Sequence, residues 1–350
     1  MSVDKEMTRT KPEAVDSELA ADEETDRTSR IVVAIFILTP LAALLLALPL
    51  ALADVLPLTW LDLGVGIGFY AITALGITVG YHRLFTHGAF KSNRAVRWWF
   101  AITGGMALQG KLRDWVADHR AHHAFSDKVG DPHSPWRFGT SHRDVAKGLW
   151  YAHMGWLLDP DMERDPKRYA PDILKDEVCS KTDRFYVLPV VATLLLPGII
   201  TGLITWSWMG ALSGFFWAGL VRIALVHQVT WSINSVTHVW GRKPFRSRDE
   251  SRNVAWLAIP SFGESWHNYH HADQTSARHG VLARQIDLSA LTIRTMEKLG
   301  WAHDARWPSE DRVRSKLKPT AEYPRNAGIE VHRSLRTAEA SPTTPDASRN

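Results

Sequence analysis

Cysteine is nearly absent, since the 350-residue chain has one, Cys179. A single thiol excludes an intrachain disulfide, a CxxC zinc site and a cysteine-held iron–sulfur cluster, which leaves nitrogen and oxygen atoms to hold any metal. There is no GxGxxG turn, no CxxCH haem-attachment motif and no HPGG-type segment of a fused haem domain. An excess of charge is missing as well: 41 Lys and Arg face 37 Asp and Glu in interleaved order, for a net charge of +4. That balance argues against a nucleic-acid partner. No secretory cleavage pattern precedes the first apolar run, which starts too late for an ordinary signal peptide.

The chain does have 45% hydrophobic residues and sixteen Trp, yet a mean hydropathy slightly below zero, so its apolar stretches are segregated from long polar ones. Residues 1–30 carry many acids and almost no large apolar side chain; they cannot offset the entropy of ordering and read as a disordered tail. From Ile31 to Ala53 there are 23 residues without a charge, a helix that at about 1.5 Å per residue outspans the roughly 30 Å hydrocarbon layer. Further charge-free runs cover 63–81 and 185–204, the latter with Pro189 and Pro197, and a fourth apolar run covers 210–231 with Arg222 and His227 inside it. Arg222 is expected to snorkel or to pair inside the bundle, because a charge at membrane depth is costly otherwise. The apolar stretch 98–108 is too short to span and reads as an interfacial or buried helix.

Both short hairpin loops lack Lys and Arg, whereas 82–184 is full of them, so the positive-inside rule puts both termini, 82–184 and 232–350 in the cytoplasm. The expectation is an all-α integral membrane protein with four transmembrane helices and a cytoplasmic helical cap. Its single membrane domain, 31–316, would lie between disordered tails at 1–30 and 317–350. If the source is prokaryotic, the membrane is the plasma membrane.

Three clusters hold eight of the sixteen histidines: HRLFTH at 82–87, HRAHH at 119–123 and HNYHH at 267–271. In the latter two the histidines fall at i, i+3 and i+4, on one helix face, where they can converge on one metal centre. His82 and His87 stand five apart, which suits two neighbouring ions or a helix that unwinds at its end. Imidazole binds Zn, Cu, Fe and Ni alike. Number is more telling, because eight clustered imidazoles exceed the four of a closed zinc site and would fill two ions with positions left open.

These boxes, with GYHRLFTH, DHRAHH, DPH at 131–133, HMGWLL at 153–158, TWSINSVTH at 230–238 and GESWHNYHH, make residues 31 to 300 resemble the membrane fatty acyl desaturases of the acyl-CoA Δ9 (stearoyl-CoA) type. The resemblance implies two iron ions held by His82, His87, His119, His122, His123, His238, His267, His270 and His271, with Asn234 bridging through water. It also implies O2 as co-substrate, a cis double bond as product and no nucleophile among the box residues. Asp118 and Glu264, next to boxes, are expected to orient ligand rings by accepting their second N–H. Gln109, Trp115, Thr230 and Trp231 match the residues that line the bend of the family's acyl tunnel. Where animal relatives carry an Arg two residues before the second box and a basic pair after GWLL, this chain has Ala117 and Asp159, Pro160, Asp161. That leaves the headgroup open between acyl-CoA and acyl-lipid, with Lys111, Arg113 and Arg120 as replacement positive charge. Electrons must come from a separate reductase or ferredoxin. The alternatives are a di-iron alkyl or lipid hydroxylase on the same scaffold and, from another class, a metal-binding membrane transporter; cytoplasmic boxes and the lack of a path of intramembrane acids speak against transport.

Overall fold

The computed structural model describes residues 12–159 and 165–319, the stretch 12–29 by its backbone alone. The chain is mostly α-helical, and among the described residues its only sheet is a ribbon of Lys91–Ser92 with Ala302–His303. Four helical segments are long and apolar enough to cross a membrane: Arg30–Leu52, Trp60–Thr86, Val187–Thr205 and Trp208–His238. The first belongs to α1, Pro12–Leu52. The expected N-terminal tail therefore lies outside the described residues only at 1–11. From Pro12 the backbone is helical, as its Ala- and Glu-rich composition favours. Of the expected C-terminal tail, 320–350 lies outside the described residues, as do Pro160 and Asp161.

The second and fourth spans run further than the apolar windows, to Thr86 instead of 81 and to His238 instead of 231. The second window stops at the first ionisable residue and the fourth short of His238; the helices do not, because His82, Arg83 and His238 are buried against protein. The second span is α2, Trp60–Leu75, continued as a wide i→i+5 helix over Gly76–Thr86. Glycine lets that segment lie on α3, Arg94–Gly105: a Cβ at Gly76 would meet the Gly104 nitrogen at 2.4 Å, and one at Gly104 would meet the Tyr81 ring at 2.2 Å. This α3 is the short helix expected near 98–108. It buries Phe100, Ala101 and Thr103 and leaves Trp99 and Ile102 exposed, as an interfacial helix would.

Helix α4, Leu112–Phe125, and α5, His142–His153, belong to the cap; the first two amides of α4 are capped by Asp183 at 2.7 and 3.1 Å. Then follow α6, Val187–Thr205, and α7, Trp208–Gly214. A second wide segment, Phe215–Val221, leads into α8, Arg222–Ser235. Later in the cap come α9, His267–Ala272, and α10, Leu288–Lys298, and a last short helix, Glu310–Lys316, follows them. Arg222 does pair inside the bundle, though with no acid: its NH2 donates to the Thr193 carbonyl at 3.0 Å and hydroxyl at 2.9 Å, and its Nε to the Ala218 carbonyl at 3.0 Å.

Candidate metal centre

The structure gathers nine histidines into two adjoining groups, His82, His87, His119, His123 and His270 in one and His122, His238, His267 and His271 in the other. Each group's ligand atoms lie within 4.8 Å of one another. The boxes do not each serve one group, as the one-face reading expects. On α4, His119 and His123 turn to the first group and His122 to the second; on α9, His267 and His271 turn to the second and His270 to the first. Helix geometry explains the split. Residues i and i+4 stack on nearly the same line, whereas i+3 and i+4, being sequence neighbours, diverge by about 100°. His82 and His87 meet in the first group because the helix widens there: the His87 amide donates to the His82 carbonyl at 3.1 Å, an i→i+5 bond that brings residues five apart onto one face.

Four of the rings are held from behind by carboxylates. His82 Nδ1 stands 2.7 Å from Glu264, His122 Nδ1 2.9 Å from Asp131, His238 Nδ1 2.9 Å from Asp127 and His271 Nδ1 2.6 Å from Asp249. An Nδ1–H donated to a carboxylate leaves the Nε2 lone pair free to bind. Those Nε2 atoms point inward. In the first group, Nε2 pairs face each other at 3.0 Å (His82 and His270), 3.1 Å (His87 and His119) and 2.9 Å (His123 and His270). In the second, His122 Nε2 and His238 Nε2 are buried without a hydrogen-bond partner. Converging lone pairs with no donors between them are what a cation requires, so the donor set fits two metal ions.

Glu264, one of the two acids expected to orient a ring, does stand on His82. Its other oxygen takes Arg83 Nε at 3.1 Å and NH2 at 2.9 Å, and Arg83 is completely buried. Asp118 is buried on α4 and lines the larger cavity described below. The carboxylates on the other rings went unforeseen: Asp131 could have been found in the DPH motif, while Asp127 and Asp249 carry no local signal. Burial and the surrounding rings hold His87, His119, His123, His267 and His270 well below the ordinary imidazole value, so they stay neutral and able to ligate. Burial takes His271 down to about 4, against the pull of Asp249. Burial alone would raise Glu264, but Arg83, His82 and His279 hold its carboxyl well below the usual range.

Two cavities flank the groups. The larger, about 450 Å³, is lined by Val33, Phe36, Lys111, Trp156, Tyr186 and Trp231 among others; the smaller, about 50 Å³, by Tyr70, Ala74, Ile77, Val226, Ile233 and Pro260. They share Trp115, His119, Thr230 and Asn234 as walls. A chain of hydrogen bonds ties the shared wall together, Gln109 donating to Thr230 at 3.0 Å and accepting from Trp115 at 3.3 Å. Trp231 is buried and stacks on His227 at 4.6 Å, so it is no membrane-belt anchor; Trp60, Trp206 and Trp208, 87–89% exposed at the far ends of the spans, fit that description. Of the three basic residues offered as headgroup contacts, Lys111 lines the larger cavity. Arg120 instead clamps Asp172 and the carbonyls of Phe85, Thr86 and Tyr169, and Arg113 lies against its neighbour Asp114.

A family model described as fatty acid desaturase matches residues 58–279. The chain is 43% identical over 262 residues to a hex-5-enoyl-[acyl-carrier protein] acetylenase of Moorena producens, covering 74% of this chain and 81% of the relative. It is 39% identical over 258 residues to Delta-9 acyl-lipid desaturase 1 of Arabidopsis thaliana (73% and 79%). With an sn-1 stearoyl-lipid 9-desaturase of Synechocystis sp. the identity is 37% over 260 residues (74% and 76%).

Proposed function

Because the chain belongs to the fatty acid desaturase family and is a fatty acyl desaturase, we propose that it is a di-iron enzyme placing a cis Δ9 double bond in a long saturated chain carried by a membrane lipid. One observation carries this reading: nine imidazoles converge in two groups, and His119 of the first group stands in the wall that the two cavities share, with His82 and His267 also lining the smaller one. His82, His87, His119, His123 and His270 would hold one iron. His122, His238, His267 and His271 would hold the other, with Asn234 as its polar neighbour. Two irons bound there supply the oxidant, so that with O2, two protons and two external electrons one hydrogen leaves each of two adjacent methylenes and two waters form.

The protein's own share is positioning. A methylene chain offers no polar handle, so the bend at Trp115, Gln109, Thr230 and Trp231 decides which carbons lie beside the histidines, and a displacement of about 1 Å can cost roughly a hundredfold in rate. Glu264, Asp127, Asp131 and Asp249 keep four rings turned inward. Val32, Val33, Phe36 and Ile37 of α1 form one side of the larger cavity, which supports an acyl donor that arrives from the bilayer over a soluble thioester. Both termini and the histidine groups are assigned to the cytoplasmic side, and electrons to a separate reductase or ferredoxin. Reporter fusions at residues 57 and 207 should then report the outside.

The test is expression in a desaturase-deficient host followed by mass spectrometry of intact lipids and of the acyl-CoA pool. The expected result is a loss of two hydrogens at C9–C10 of lipid-bound chains. A gain of oxygen would make the protein a hydroxylase, and unsaturation confined to the CoA pool would reverse the headgroup assignment. Trp231→Ala should scatter the double-bond position while metal content stays near normal.

A further inference from the structure

Charge is interleaved along the sequence, but the fold gathers some of it. Residues 242–252 hold five basic residues and two acids, Asp249 and Glu250. The C-terminal segment lies against them: the Arg246 amide donates to the Lys316 carbonyl at 2.9 Å and the Lys318 amide to the Pro244 carbonyl at 2.8 Å. Lys316 and Lys318 thereby join Lys243, Arg246, Arg248 and Arg252 on one face. The two acids do not cancel them. Asp249 is buried beneath the loop, and Glu250 alone accepts from both Lys243 and Arg252, each at 3.2 Å. Partial burial together with Lys243 and Arg252 pushes the Lys318 ammonium below its ordinary value, a sign of surplus positive charge.

This face lies directly over the second histidine group. Asp249, in the basic loop itself, holds His271 at 2.6 Å. The next amide, of Glu250, donates at 2.8 Å to Asp127, the carboxylate that holds His238. Two of that group's four rings are thus one carboxylate away from the basic surface. By contrast, the carboxylate behind His82 is buried with Arg83 and Asp287.

We propose that residues 242–252 with 316–318 form the docking surface for a small acidic one-electron carrier protein, which reaches the second histidine group through Asp249–His271 and Asp127–His238. The inference rests on the desaturase reading, which requires two external electrons per turnover from a chain that carries no redox motif of its own. Each encounter oxidises the carrier by one electron. Two encounters supply the two electrons that, with two protons from solvent and the two hydrogens of the broken C–H bonds, reduce O2 to two waters. Charge complementarity selects an acidic partner and speeds the encounter. An anionic bilayer is the other surface a basic face attracts, but membrane-surface segments set large apolar side chains beside their basic ones. Residues 241–254 expose none; exposed Trp240 precedes them, and exposed Trp256 and Ile259 follow, next to Pro260, whose carbonyl bonds the Tyr70 hydroxyl of the second span.

The experiment uses the full chain in phosphatidylcholine nanodiscs and an acidic [2Fe–2S] ferredoxin as probe. The variant is R246E/R248E/K318E, and the control K91E/R143E/K175E makes the same change of charge elsewhere. Binding is measured from 25 to 300 mM salt, together with oxidation of the reduced ferredoxin and double-bond formation driven by dithionite. The variant should bind ferredoxin on the order of 10- to 100-fold more weakly at low salt, with the gap closing at high salt and ferredoxin oxidation slowed in proportion. The control should match wild type, and dithionite-driven turnover should be equal in all three. Unchanged ferredoxin binding in the variant overturns the proposal. So does a loss confined to the binding of short-chain phosphatidylglycerol, which would make the patch a lipid contact. Absence of double bonds from every protein, dithionite included, would instead strike at the desaturase reading and leave the binding result standing.

Discussion

Pro197 sits inside α6 and cannot give the hydrogen bond that an amide there would donate to the carbonyl four residues back, which is that of Thr193. Arg222 fills the gap from α8. Thr193 is 0% exposed and Arg222 2%, so no water competes for the bond. Arg222→Met keeps most of the stem but strands the carbonyl, and an unpaired buried acceptor costs about 1–3 kcal/mol. Removing a charge from membrane depth offsets part of that loss, so the single variant says little by itself. The cycle with Pro197→Ala is decisive, because the alanine supplies the missing N–H within its own helix. Arg222→Met should then be milder in the Pro197→Ala background by about 1 kcal/mol, or roughly fivefold in the unfolding equilibrium. Reversible unfolding in mixed detergent micelles measures all four proteins. An equal cost in both backgrounds would refute the idea that Arg222 answers the proline. The same clasp sets α8, which carries Thr230, Trp231 and Asn234, against α6, so regioselectivity should follow the stability cycle.

His119→Ala removes a ring shared by the first group and both cavities, and should bring iron, measured by mass spectrometry, well below two per chain with loss of turnover. Asp131→Asn leaves the His122 ring in place but weakens its hold, and metal affinity should fall by about 10- to 100-fold in competition with a chelator. Tyr70→Ala enlarges the smaller cavity, which Tyr70 lines, and should shift the preferred substrate toward longer chains in a competition of mixed acyl lengths; an unchanged preference would mean that the chain does not reach Tyr70. Gly76→Ala forces a methyl group against the α3 backbone and should cost about 1–3 kcal/mol in thermal stability, whereas Gly64→Ala, inside α2 with open space around it, should leave stability unchanged or raise it by up to about 1 kcal/mol.

The spans were legible because a run of some twenty uncharged residues has few other destinations, and the box histidines because eight imidazoles in three short clusters have few other uses. Their ends were not legible in the same way. His82, Arg83 and His238 look like the start of a polar cap, but Glu264 and Asp287 pair with His82 and Arg83, and Asp127 with His238 Nδ1, which lets the helices carry them on. Arg120 looked like a surface charge and proved to be a clamp, since nothing in its neighbours along the chain announces Asp172.

By itself, then, the order of residues determined the number and approximate place of the helices apolar enough to cross a membrane and the eight box histidines as candidate ligands, since both follow from local composition and from spacing along one helix; His238 came only through the likeness of NSVTH to the family's motif. Which histidine joins which group, that Asp127, Asp131 and Asp249 stand behind three of them, that Thr230, Gln109 and Trp115 close one wall, and that scattered lysines and arginines form one face were decided only by the tertiary structure. Each depends on contacts between residues from 6 to 188 positions apart, and no periodicity along a chain encodes which distant segment will lie within about 3 Å.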